Sequence, residues 1–160
     1  MINDLLGKKA EAKIQKWLDL PEKDYCFDRI PDQVSGLYGS KNICDFDFYK
    51  YPYMYYIESK ATYEDRFDFS MISEYQYDNL LKKSKLNGVF GLIIVLFASY
   101  KRAFILNIRD IDKLQTEQDK HSLNIKKIEK WPIPYVEIET IPSKKELLDY
   151  TGEWNIEVIM

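Results

Sequence analysis

The sequence predicts a mixed α/β domain in which helices pack on one sheet. Three observations lead there. An apolar period of helical spacing opens the chain, two short aromatic-rich extended runs meet at Tyr51–Pro52, and the run VFGLIIVLFA is apolar throughout.

Each element follows from its own residues. Residues 3–19 read as a helix, with Asn3 able to cap it and Leu6, Ala10, Ile14, Trp17 and Leu18 at helical spacing before Pro21 ends it. Lys8, Lys9, Lys13 and Lys16 populate its other sectors. Residues 27–42, FDRIPDQVSGLYGSKN, are rich in turn formers and read as a loop or irregular extension. Two strands follow at 43–49 and 53–60, turning near Lys50–Pro52. Ser70 is the expected N-cap of a helix reaching about Lys85, with LNG as its stop and an apolar side through Ile72, Tyr75, Asn79 and Leu80. Residues 88–98 have the composition of a strand covered on both faces, and a hairpin at SYKR leads on to AFILNI. Residues 112–130 are polar, with helical or loop character. YVEIE then reads as a strand, and SKKELLDY as a short helix capped by Ser143 with Glu146 at the capping-box position. No repeat or linker interrupts the order, so residues 1–160 are expected to form one domain.

Composition narrows the function classes. The formal charge is −3, so no global basic field marks a polyanion partner. The average conceals a split: Glu137–Met160 carries six acids against two lysines, whereas Asp78–Arg102 carries five basic residues and one acid. Cys26 and Cys44 form no CxxC pair and read as free thiols of a reducing compartment. No signal layout opens the chain, and VFGLIIVLFA is about half the roughly 20 residues a membrane span needs. The expectation is a cytoplasmic protein without a membrane partner.

The charged residues of the hairpin are the unusual feature. Alternation along a strand points Glu58 and Lys60 to one side and Ile57 and Ser59 to the other, and Asp45 and Asp47 likewise share a side. A turn centred on Tyr51–Pro52 brings Asp45 across from Glu58. Carboxylates gathered in this way suit a hard cation such as Mg²⁺, which takes oxygen ligands and keeps several waters. Asp45 and Glu58 could hold the ion, with the backbone carbonyl of Ser59 as a further ligand. Lys60 could orient the attacking water and offset charge on a phosphate, the requirements of phosphodiester hydrolysis. An ExK triplet alone is common on solvated strands; the β-type run YMYYI before it and the placed Asp45 give it weight. Pro31–Asp32 supplies a rival PD in the Gly-rich loop, and Asp47 is a rival or additional ligand.

These residues carry a family resemblance. The stretch CDFDFYKYPYMYYIESKAT, followed by FDFSMISEYQYDNLLKKSKLNGVFGLIIVLF, resembles the RecU-type Holliday junction resolvases of Firmicutes and their phages, within the PD-(D/E)xK nuclease superfamily. The interval of 13 residues from Asp45 to Glu58, Thr62 after the lysine, Phe67 and Phe69, Gln76 and WPIPYVEI all match its pattern. The resemblance implies a restriction-endonuclease-like core, a central mixed β-sheet flanked by α-helices. It implies Mg²⁺, with Mn²⁺ as a possible substitute, bound by Asp45 and Glu58 with Gln76 joining from the helix, and Lys60 stabilising the transition state. It further implies a homodimer, in a phage or prophage setting, that nicks opposing strands of four-way DNA junctions. Two positions depart from the pattern: Ile43 stands where the family keeps a metal-site Thr, and Tyr75 where it keeps a His. The resemblance would make residues 27–42 a junction-contacting loop or short stalk, the counterpart of the family's stalk that enters the junction.

Other charged residues are weighed against plainer roles. Lys82, Lys83 and Lys85 could contact phosphates, or simply suit the negative end of a helix. Arg29 and Lys41 could touch the DNA backbone or solubilise a loop. Glu11 stands where the resemblance implies an acid near the metal, but an ordinary surface acid of an amphipathic helix is the preferred reading; His121 reads as a surface residue, and Trp131 and Tyr135 as core or dimer packing rather than base-stacking aromatics. The competing functions are a PD-(D/E)xK nuclease without junction specificity, a DNA-binding module that lost cleavage, and a structural protein with exposed strand charges.

Overall fold

A computed structural model of the chain describes residues 2–19, 24–31 and 41–138. Its frame is the Tyr51–Pro52 hairpin, strands β2 (Phe46–Lys50) and β3 (Tyr53–Thr62), antiparallel in a register pairing Phe46 with Ile57 and Lys50 with Tyr53. β1 (Cys26–Arg29) pairs antiparallel with β2, so residues 27–29, expected as loop, are an edge strand. The turn-rich composition of 27–42 hid a strand of four residues, three of them exposed, which no apolar alternation announces. Residues 32–40 lie outside the described residues.

On the other side of β3 lies β5 (Val89–Phe97), parallel to it; β6 (Arg102–Asn107) and β8 (Val136–Ile138) complete the sheet antiparallel, in the order β1-β2-β3-β5-β6-β8. β4 (Arg66–Asp68) and β7 (Ser122–Asn124) make a separate two-stranded ribbon. One face is covered by α1 (Ile2–Leu18), whose Leu6, Ala10, Ile14, Trp17 and Leu18 form one core with Phe46, Phe48, Ile57 and Ile94. The other is covered by α2 (Glu74–Lys83) and α3 (Ile108–Gln118), where Leu80, Ile108, Ile111 and Leu114 join Ile93, Val95, Phe104 and Leu106. Burial of Gly91–Phe97 throughout is the central strand its composition predicted.

Two expectations along α2 are corrected. Ser73, not Ser70, is the N-cap, because Ser70 belongs to a 3-10 turn at Phe69–Met71 and the capping partner three residues on is Gln76. Tyr75, expected on the apolar side, is exposed. The polar stretch from 112 divides into the end of α3, β7 and a 3-10 segment at Ile125–Lys130. The SKKELLDY helix falls outside the described residues. Trp131 packs against Phe104 at 5.2 Å between ring centroids and also meets Tyr135, the packing role expected of both.

Gly91 sets how closely the helices approach β5. A Cβ there would lie 2.8 Å from Ile108 Cγ2 and 3.0 Å from the Leu80 carbonyl oxygen. Gly91→Ala is therefore expected to lower unfolding stability by about 1–3 kcal/mol, the usual range for overpacking. Urea denaturation reads the change, and an unaltered midpoint would contradict the contact.

Candidate active site

The hairpin delivers the carboxylates as its turn position predicts, with one refinement. Asp45 sits just before β2, one residue beyond the ladder pair Phe46–Ile57, and steps out of the regular ladder beside Glu58. Its N–H donates to the Ile57 carbonyl at 3.0 Å, and its own carbonyl takes the Ile30 N–H at 2.8 Å. Its Oδ2 accepts the Ser59 N–H at 2.7 Å. Backbone groups thus hold Asp45 at both its main chain and its carboxylate. Along β3, Ile57 and Ala61 pack into the α1 core while Tyr56 packs toward α2, so alternation turns Glu58 and Lys60 toward α2 as well.

Lys60 Nζ lies 2.7 Å from Glu58 Oε1 and donates to Gln76 Oε1 at 3.2 Å. Gln76 is fixed by the start of its own helix: Ser73 Oγ accepts the Gln76 N–H, and Gln76 Oε1 accepts the Ser73 N–H, both at 3.3 Å. The capping box that begins α2 therefore also presents an amide to the site. Gln76 also favours the ionised form of the neighbouring Glu58 carboxyl. Glu58 is only 2% exposed, and its Oε2 has no hydrogen-bond partner in the protein. A carboxylate oxygen rarely goes without a partner when buried, and a bound cation is one way to satisfy it.

Electrostatics mark the same place. Burial, then the neighbouring Glu58 charge, push the Asp45 carboxyl up to about 8, against the pull of the Ser59 N–H. Burial also raises Glu58, with Lys60 opposing the shift. Two carboxyl groups this close cannot both ionise freely without a cation. Glu11 adds to both shifts, so the charge of an acid preferred as an ordinary surface residue of α1 is felt at the site. Its Oε2 accepts from Arg29 Nη2 at 2.6 Å. The available signal was buried Leu18, seven residues on, which places Glu11 at the margin of the apolar stripe.

The remaining candidates separate. Asp47 lies one ladder row from Asp45, raised by burial and hydrogen-bonded by the Cys44 thiol at 3.6 Å. Cys44 is itself buried, which pushes its thiol far up and makes it a poor nucleophile; Cys26 is exposed, and both are free. Lys41, Lys82 and Lys85 are exposed, Lys83 is half-buried over the Tyr56 ring, and Arg29 is engaged with Glu11. His121 is exposed and pairs with Asp119, as its polar surroundings suggested.

Among the described residues no three His, Cys, Asp or Glu side chains form a cage for an ion. A pair of carboxylates is the kind of donor set that suits a hard divalent ion keeping much of its water. A six-stranded mixed sheet between helices thus carries this buried carboxyl pair with a lysine beside it. The chain belongs to the RecU family: the model of that family, Recombination protein U, matches residues 9–155. It is accordingly a Holliday junction-resolving endonuclease of a divalent-metal-dependent family. Curated protein sequences give no match. Among solved structures, the chain is similar to Archaeoglobus fulgidus Hjc, a Holliday junction resolvase from an archaeal hyperthermophile. Identity is 13%, coverage 65% of this chain and 75% of that one, and the TM-score 0.41, a distance at which no residue assignment transfers. Among the described residues no helix is long and apolar enough to cross a membrane.

Proposed function

We propose that Asp45 and Glu58 hold Mg²⁺, with Mn²⁺ as a substitute, and that Lys60 serves the hydrolysis of a junction phosphodiester beside them. The orphaned Oε2 of buried Glu58, next to an Asp45 whose carboxylate is pinned by the Ser59 N–H, carries this reading. A bound divalent ion supplies neutralisation of phosphate charge and a lowered pKa for water. The protein supplies the rest. Lys60 orients the attacking water and balances the charge that grows on the phosphate, while Gln76, through its amide oxygen, holds the ammonium in place. The Ser59 carbonyl is a further oxygen for the ion, and Gln76 can reach it through water. Lys41, Lys82 and Lys85, all exposed, contact DNA phosphates, and Arg29 joins them when its pairing with Glu11 is exchanged.

In this reading the single domain acts as a cytoplasmic homodimer that presents two sites to opposing strands of a four-way junction, with residues 27–42 at the junction. Host recombination or phage DNA processing would equally use it. The experiment gives the purified protein a synthetic four-way junction and a matched linear duplex, with Mg²⁺ or EDTA. Symmetric nicking of the junction alone, abolished by EDTA, is the expected result. Equal cutting of both DNAs would instead show a nuclease without junction selectivity, and binding without cutting would overturn the assignment of Asp45, Glu58 and Lys60.

A further inference from the structure

The catalytic face of the hairpin continues past the carboxylates. Behind the row of Asp45 and Glu58 comes the next cross-strand row, Asp47 opposite Tyr56. α2 crosses both. Gln76 reaches Lys60, and seven residues on, hence on the same side of the helix, Lys83 reaches Tyr56. Lys83 Nζ stands 4.4 Å from the centroid of the Tyr56 ring and 3.5 Å from its hydroxyl. Its neighbours Lys82 and Lys85 are exposed; Lys83 alone of the three is drawn inward. A lysine in the last turn suits the helix dipole wherever its side chain points, so the dipole does not explain the direction.

A plainer role exists and has to be weighed. Asp47 faces Asp28 directly across β1 and β2, a like-charge pair that costs stability, and the Lys83 charge offsets it. Yet a compact ammonium with three donors, held over an aromatic face, is also a phosphate ligand kept ready. Rows two residues apart along a strand lie about 6.6 Å from each other, an interval comparable with that of successive phosphates along one DNA strand. A strand whose scissile phosphate sits at Asp45 and Glu58 would then bring a flanking phosphate to Lys83.

We propose that Lys83 and Tyr56 clamp the phosphate next to the scissile one, on the side toward the hairpin tip, with Asp47 retaining the ammonium there until DNA arrives. On binding, the ammonium and the phenol released from it both donate to that phosphate. Lys83 is thus a positioning residue that fixes which linkage of the strand enters the site. The inference rests on the reading of Asp45 and Glu58 as the cleavage centre.

The test uses the full-length protein and junctions carrying one uncharged methylphosphonate linkage on either side of the cleaved bond. In the wild type, neutralising one flanking linkage should raise the half-saturating junction concentration about tenfold, the scale of one charge-assisted hydrogen bond. Lys83→Gln should show that rise on unmodified junction and none further with the methylphosphonate at that linkage. Tyr56→Phe keeps the ring and should show a smaller rise with a partly reduced methylphosphonate penalty. If Lys83→Gln and wild type suffer equal penalties at both linkages, or if adding Asp47→Asn restores Lys83→Gln, Lys83 only balances Asp47 and the clamp is refuted. A wild type that cuts no junction at all would overturn the cleavage centre itself, a result separable from either.

Discussion

Lys60→Ala should lower the rate of junction cleavage about 10²–10³-fold, the cost typical of losing one preorganised charge-stabilising donor, while junction binding in EDTA stays as it was. The ammonium has two polar contacts, Glu58 at 2.7 Å and Gln76 at 3.2 Å, and both hold it beside the carboxylates rather than in a packing role. Its removal also withdraws the charge that opposes the upward shift of Glu58. With that opposition gone the Glu58 carboxyl is more readily neutralised than it is beside the ammonium, so the fold should survive the change. Single-turnover cleavage and gel-shift binding measured on the same preparation separate the two quantities. Normal cutting by the variant would remove Lys60 from the mechanism.

The second large effect is a dependence of stability on pH that runs opposite to that of a salt-bridged acid. Because burial and Glu58 raise Asp45 to about 8, the native state holds a proton that the unfolded chain has released. Stability of the metal-free protein is therefore full below the ordinary carboxylate range, near pH 4, and declines as pH rises toward about 8. A bound divalent ion reverses the slope, since it binds only the ionised pair and stabilises the native state by mass action. Melting temperatures in EDTA should fall from pH 5 to pH 8, those in Mg²⁺ should not, and Asp45→Asn should flatten the EDTA curve and lose the Mg²⁺ shift. An EDTA curve that rises across this window would contradict the buried pair.

Much of this was legible in local pattern. The Tyr51–Pro52 turn fixes the register of the hairpin as far as Phe46–Ile57, so the placing of Asp45 and Glu58 at its neighbouring row follows from counting residues. The apolar composition of Val89–Phe97 likewise announces a central strand. What local pattern could not show are the contacts made across the fold. β1 is mostly exposed and depends on β2 for its existence. Glu11 is one of two acids on an amphipathic helix until α1 is laid on the sheet and Arg29 arrives from β1. Ser70 and Ser73 are equally good caps by type, and only the reciprocal bonds with Gln76 decide between them. Lys83 differs from Lys82 and Lys85 only in the direction set by its place on α2 opposite Tyr56.

The most direct test titrates Mn²⁺ into the DNA-free protein near pH 8, following bound ion by electron paramagnetic resonance. One ion per chain should bind to the wild type, with release of protons from the carboxyl pair, and Asp45→Asn and Glu58→Gln should each lose that binding while remaining folded. Undiminished Mn²⁺ binding in both variants would show that these two side chains do not share an ion.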